Sequence, residues 1–297
     1  MSIVKSTYKF VFYPLAALLS IITLLIIIQP SGAHYRVFTN SAVEIMLGIL
    51  GFGLLCLILQ WHRLMFVAFT CTGILCLFLK SSSNPAPVYA TPNLNKDMEV
   101  VHLKISNYNG AETEGLTDLL LESGTDFISI QEVDPFWEPI LKEELLDSFP
   151  YFSSIPNISF YGMAVFSKYP ITDLDTFYYQ DIPNLTGLIH PKDNNKPIRF
   201  ISTYTTPTFG TDKFYQELKD HFEMIINKVE GSTEARIAFG TYNTVAWSSE
   251  MKFFTGALGL QNSRRSTSPF SQSTYEHIFH SMDMECVSFN GLYDTTG

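Results

Sequence analysis

Gly240-Thr241-Tyr242-Asn243-Thr244-Val245-Ala246-Trp247-Ser248 decides the reading of this chain. It follows Arg236-Ile237-Ala238-Phe239, which reads as a buried strand ending at a sharp turn. A strand that ends in Gly and Asn places polar side chains at the rim of a sheet, where a site can form. The neighbouring segments repeat that pattern. Upstream, Val100–Ile105, Phe127–Ile130, Gly162–Phe166 and Arg199–Ser202 are short runs of strand character. Between them, Leu116–Glu122 and Trp137–Phe149 have helical spacing. Lys213–Val229 is the clearest amphipathic helix, with Phe214, Leu218, Phe222, Ile225, Ile226 and Val229 on one face. Many strands with a few long helices predict helices packed outside paired sheets.

Farther out, the character of the chain changes. Phe10–Gln29 carries no charge over twenty residues, enough to span a bilayer core. Ile45–Gln60 and Leu64–Leu79 are two more uncharged runs, joined by Trp61-His62-Arg63 and extended by Val43 and Trp61. The predicted arrangement is three transmembrane helices, at 10–29, 43–60 and 64–80, the last two forming a hairpin. A cleaved leader ending at Ser31-Gly32-Ala33 is the alternative for the first run. Two buried helices of a soluble protein are the alternative for the others. Gly48, Gly51 and Gly53 in the second run, and Gly73 in the third, offer close helix approach.

Lys5, Lys9 and Arg63 favour the cytoplasmic side, against Arg36 and Lys80 on the other. The predicted location is therefore the cytoplasmic (inner) membrane, multi-pass, with everything after Lys80 extracytoplasmic. Residues 1–80 form the membrane anchor. Residues 81–97 form a linker rich in Pro, Ser and Asn, and 98–297 form the globular domain. The anchor and linker hold 6 Lys/Arg and 2 Asp/Glu (6 − 2 = +4), and the domain 13 and 27 (13 − 27 = −14), summing to the overall −10. So acidic a domain lacks the basic footprint of nucleic-acid binding. The four cysteines (Cys56, Cys71, Cys76, Cys286) offer no disulfide within the domain and no zinc spacing. Asn157-Ile158-Ser159 and Asn184-Leu185-Thr186 fit the glycosylation pattern.

Five landmarks occur in order: Gln131-Glu132-Val133, Tyr161 through Ile171 (YGMAVFSKYPI), Ser202 through Pro207 (STYTTP), Gly240-Thr241-Tyr242-Asn243, and Tyr275 through Ser281 (YEHIFHS). Together they resemble the endonuclease/exonuclease/phosphatase superfamily, and most of all its bacterial branch with N-terminal membrane helices. The resemblance covers the whole domain. It implies an α/β fold, a four-layer sandwich of two mixed sheets, and divalent-metal-dependent cleavage of phosphate esters. It also implies roles, residue by residue. Glu132 matches the metal-binding Glu, Asn243 the phosphate-orienting Asn, and His277 the His of an Asp-His-Ile string. Other positions depart from the pattern. Lys104 stands where the first strand ends in a metal-site Asn, Tyr204 where a His is usual, Thr241 where a catalytic Asp is usual, and Glu276 where the Asp precedes His277. The closing Ser-Asp-His would begin where Thr295-Thr296-Gly297 stands.

Magnesium takes oxygen ligands in octahedral geometry, and a Lys in that position costs metal affinity. The expectation is therefore that Glu132 is an unoccupied remnant paired with Lys104, and that no cofactor is bound. Asn243 reads equally as a turn cap, and His277 as a core histidine. His102 reads as structural. His190 and His280 carry no partner spacing. Two functions follow. One is an inactive domain acting as an accessory or scaffolding subunit of a membrane complex, with the bilayer and other proteins as partners. The other is a Mg²⁺-dependent phosphodiesterase or phosphatase working outside the cytoplasmic membrane.

Overall fold

The computed structural model describes residues 2–84, 91, 94, 96–105, 113–191, 196–207, 210–264 and 275–291. Four helices come first: α1 (Ser2–Ile28), α2 (Ala33–Asn40), α3 (Ala42–Ile58) and α4 (His62–Ser83). The chain turns between α1 and α2 because Gln29 is left-handed (φ 51°), Pro30 has no N–H, and Gly32 sits at φ 125°. The two helix axes differ by 99° across that break. From Phe12 onward α1, together with α3 and α4, carries apolar side chains both inside and outside the bundle. Ile26, Ile49, Cys71 and Leu75 are buried among them, while Leu24, Leu57, Phe66 and Leu77 point outward. Gly53 lets α3 meet α4, since a Cβ there would lie 2.7 Å from the Phe69 ring. Gly48, Gly51 and Gly73 have no such neighbour within 4 Å.

The expectation of three spans is not supported among the described residues. Among the described residues, only α4 is long and apolar enough by itself, and Phe12–Ile28 of α1 qualifies when joined to α2 across the bend. α3 has 17 residues, short of the roughly 20 that a bilayer core requires. The described residues thus offer one candidate span, or two if the bent pair is one. The hairpin of α3 and α4 is present.

The rest of the chain contains β1 (Val100–Lys104), α5 (Thr113–Glu122), β2 (Phe127–Gln131), α6 (Trp137–Leu145), β3 (Tyr151–Ile155), β4 (Met163–Ser167), β5 (Ile171–Tyr179), β6 (Ile182–Ile189), β7 (Ile198–Tyr204), α7 (Asp212–Val229), β8 (Ala235–Thr241), α8 (Ser249–Leu258), β9 (Leu260–Asn262) and β10 (Glu276–Ser281). Two mixed sheets result, ordered β1-β2-β4-β3 and β5-β6-β7-β8-β10-β9. β1 and β2 are parallel, as are β7 and β8, and the remaining pairs are antiparallel.

Alternation along the strands builds three cores. Phe127, Val165, Phe200 and Phe239 fill the space between the sheets, with Phe127 and Phe200 centroids 5.1 Å apart. Ile128, Ile130 and Phe166 face α5 and α6. Ile201, Ala238 and Phe279 face α7 and α8, where Phe222 stacks on Phe254 at 4.7 Å. The layers are therefore helix, sheet, sheet, helix. Each fully buried Phe contributes about 1.5–3 kcal/mol relative to exposure. α8 is defined by its ends: the Ser248 hydroxyl accepts from Met251 N at 3.1 Å, and Gly259 closes the helix at φ 63°.

α2 fastens the helices to the sandwich. The Ala33 amide donates to Asp212 at the start of α7, and Trp247 Nε1 donates to the Thr39 carbonyl at 2.7 Å. Gln29 Nε2 donates to the Trp247 carbonyl at 2.8 Å. Arg36 pairs with Glu250, donates to Ser249 Oγ at 2.7 Å and lies over the Tyr215 ring. A second attachment follows α4, where buried Asn84 donates to the Asn262 and Arg264 carbonyls at 3.0 and 2.7 Å. The Arg36–Glu250 pair is withdrawn from water, with the side chains 11% and 8% exposed. Arg36→Ala is therefore expected to lower stability by about 3 kcal/mol, because it strands a buried carboxylate. The check is thermal unfolding in mild detergent. Adding Glu250→Gln to Arg36→Ala should restore most of the loss.

Candidate functional site

The ends of five strands meet at one end of the sandwich. Lys104 closes β1 and lies opposite Gln131, which closes β2. Gln131 is buried and ties the sheets together. Its Nε2 donates to the Thr203 carbonyl on β7 at 2.6 Å, and its Oε1 accepts from Thr241 N and Oγ1 on β8 at 3.1 and 2.8 Å. Glu132 then takes a left-handed backbone (φ 64°), a cost of order 1–3 kcal/mol for a non-Gly residue. Its carboxylate accepts from Tyr204 Oη at 3.3 Å. Lys104 Nζ lies 3.6 Å from Glu132 Oε1 and 3.1 Å from Glu276 Oε1, where β10 begins. Burial, then the Glu132 carboxylate, pushes the Tyr204 phenol well above its ordinary range, so it stays a hydrogen-bond donor. Tyr161 packs edge-on against the Tyr204 ring at 5.4 Å.

The structure thus brings together Lys104, Glu132, Tyr204 and Glu276. Thr241 is close by but spends its hydroxyl on Gln131. Asn243 is left-handed (φ 49°), and its Nδ2 donates to the Thr205 carbonyl at 2.6 Å. That bond pins the loop after β8 to the loop after β7. His277 lies opposite Gly240, and its Nε2 donates to the Thr244 carbonyl at 3.2 Å. The carbonyl only accepts, so the Nε2 tautomer is fixed. Burial pulls His277 down to about 4, and it is neutral near pH 7. Its Nδ1 is buried without a hydrogen-bond partner among the described residues. Thr295-Thr296-Gly297 lie outside the described residues.

Other histidines also serve the scaffold. His102 Nδ1 meets Ser129 Oγ at 3.1 Å, and Ser129 meets Ser202 at 3.2 Å, forming a polar rung between the sheets. Burial lowers His102 to about 4. His221, which the sequence did not single out, is completely buried. It bonds Asn184 Oδ1 at 3.1 Å, stacks on Tyr179 at 4.6 Å and is lowered by burial to about 3. Asn184 is itself buried and bonded to Thr203, so its glycosylation pattern is not an accessible acceptor. His190 bonds Thr172 Oγ1 at 2.7 Å, and His280 bonds Ser263 Oγ at 2.9 Å.

The family model for endonuclease/exonuclease/phosphatase proteins matches residues 93–289, more than half of the chain. The chain belongs to the endonuclease/exonuclease/phosphatase family. Curated protein sequences returned no match. Among solved structures, a humanized TDP2 from D. rerio is similar at TM-score 0.51 and 11% identity, over 62% of this chain and 83% of that one. A conserved protein of unknown function from Enterococcus faecalis is similar at TM-score 0.50 and 14% identity, over 62% and 86%. The human Nocturnin catalytic domain gives TM-score 0.48 and 15% identity over 70% and 88%. At such identities the likeness is one of fold.

Endonuclease/exonuclease/phosphatase membership implies a divalent cation at these strand ends. The donor set does not fit one. The Lys104 ammonium already stands between the two carboxylates, and a divalent cation there would meet its charge at close range. Among the described residues no three His, Cys, Asp or Glu side chains gather to hold a metal. The endonuclease/exonuclease/phosphatase fold in this chain carries a cation at its strand ends, and that cation is an ammonium.

Proposed function

We propose that this is a membrane-attached endonuclease/exonuclease/phosphatase-like domain that has given up hydrolysis and serves as an accessory or scaffolding subunit. The observation that carries the reading is Lys104 Nζ lying 3.6 Å from Glu132 and 3.1 Å from Glu276. Loss of one member of a catalytic unit commonly costs several powers of ten in rate, and here four positions differ from the family pattern. The apolar outer surfaces of α1, α3 and α4 support residence in a bilayer, since a helix apolar all round needs protein or lipid on every side. The partners are then the lipid and neighbouring membrane proteins, and the domain lies outside the cytoplasmic membrane.

The test is turnover of a generic phosphodiester with Mg²⁺. Background rates are expected for the native chain and for Glu132→Ala alike. A rate that falls on Glu132→Ala would establish the hydrolase and overturn the inactive reading. Lys104→Asn restores the family residue but leaves Glu132 and Glu276 facing each other. It is expected to lower stability by about 2 kcal/mol, below the usual loss for a fully buried pair because Lys104 and Glu276 keep some solvent contact. Urea unfolding with and without Mg²⁺ reads both effects, and Mg²⁺ should recover part of the loss in that variant alone. For topology, protease added to spheroplasts is expected to digest the chain beyond Lys80.

A further inference from the structure

We propose that the strand-end face of the sandwich lies against the membrane surface, with Phe136, Ile158 and Phe160 entering the bilayer interface. The proposal rests on the membrane reading above and adds an orientation to it.

The first observation is where the helices attach. Trp247 follows β8, Asp212 follows β7, and Asn262 ends β9. These three strands run in one direction, because β7 and β8 are parallel and β9 and β8 are both antiparallel to β10. Every contact described above between the four helices and the sandwich therefore falls at the carboxyl ends of these strands. On the helical side, the contacts sit just beyond the last turn of α1, within α2, and just beyond the last turn of α4. That is one end of the apolar bundle, where a bilayer meets water. The sandwich stands on this end by its strand-end face.

The second observation is independent of the attachments. Phe136 is 64% exposed, Ile158 92% and Phe160 68%, and all three sit on loops. The loop after β2 carries Phe136, and the β3–β4 loop carries the other two. Val133 N donates to the Gly162 carbonyl at 3.2 Å, and Asn157 N donates to the Val133 carbonyl at 3.0 Å, so the loops are laced together. Gln131, at the end of β2, bonds the ends of β7 and β8. The apolar tips thus share the face on which the helices dock, but on the opposite sheet. Single exposed apolar residues are ordinary on a protein surface. Three large ones at loop tips, on the face turned toward an apolar bundle, match the way aromatic and aliphatic side chains partition at a bilayer interface. A neighbouring protein would need to reach under the domain to cover them, whereas on the membrane reading lipid lies at that end of the bundle.

The test places a fluorescent label at position 74, 158 or 282, one cysteine at a time, in a chain whose four native cysteines are replaced. Each variant is reconstituted in nanodiscs containing spin-labelled lipid. Ile74→Cys on α4 reports whether the helices meet lipid, and Met282→Cys samples the far end of the sandwich. Quenching at 74 and 158, several-fold stronger than at 282, is the expected result. Quenching at 74 with none at 158 overturns the orientation and leaves the membrane reading standing. No quenching at 74 overturns both. Should the cysteine replacements impair folding, hydroxyl-radical footprinting of the native chain in nanodiscs gives the same decision. Phe160 should be modified less than Tyr151, although Tyr151 is only 40% exposed. The reverse order overturns the proposal.

Discussion

Lowering the pH from about 6.5 toward 4 is expected to destabilise the sandwich steeply, by up to about 4 kcal/mol per pH unit. His102 and His277 are held at about 4 and His221 at about 3, each by burial. In the unfolded chain the same groups titrate near 6.5. Between those values the unfolded state binds protons that the folded state refuses. Stability is thus complete above about 6.5 and falls as the pH drops, each histidine contributing about 1.4 kcal/mol per unit. Urea midpoints from pH 7.5 to 4.5 measure the slope. Replacing His277 or His221 with Gln should remove about a third of it, at some cost in stability at neutral pH. A flat profile would contradict the burial of these rings.

Gly240→Ala is expected to cost about 4 kcal/mol or more, enough to leave a marginal domain unfolded. Gly240 has φ 152°, where an L side chain is strained, and an added Cβ would stand 1.8 Å from the Thr203 carbonyl oxygen. Neither neighbour can yield. Thr203 is held by Gln131 through that same oxygen, and His277 lies opposite Gly240 in β10. The measurement is circular dichroism with thermal melting. Gly256→Ala is the control: it lies on α8 with nothing within 4 Å of the added carbon, and it should be neutral or slightly stabilising.

The strands legible in the sequence were those with short apolar runs, β1, β2, β4, β7 and β8. Phe127–Gln131 is buried throughout, so its apolar run announces it. β6 is also buried throughout, yet Pro183, Asn184 and Gly187 argue against a strand. Long-range partners override them: Asn184 is bonded to Thr203 and His221. α8 is marked in the sequence by its ends, Ser248 as N-cap and Gly259 as C-cap. α2 is too short and too mixed to declare itself, and its place is set by Arg36, Ala33 and Thr39 docking on the sandwich. At the site, the approach of Lys104 to Glu132 follows from two adjacent parallel strands ending together. The contact of Lys104 with Glu276 and the clamp formed by Gln131 do not. They depend on the register of β10 on β8 and on how the two sheets meet, which no local pattern encodes.

The two attachments carry one more consequence. A module hung from a membrane by a flexible tether sweeps a volume set by the tether's length. This sandwich is gripped at α2 and again at Asn84, on either side of the α3–α4 hairpin. Two points of grip remove the swing. Cutting either grip would turn a fixed platform into a pendulum.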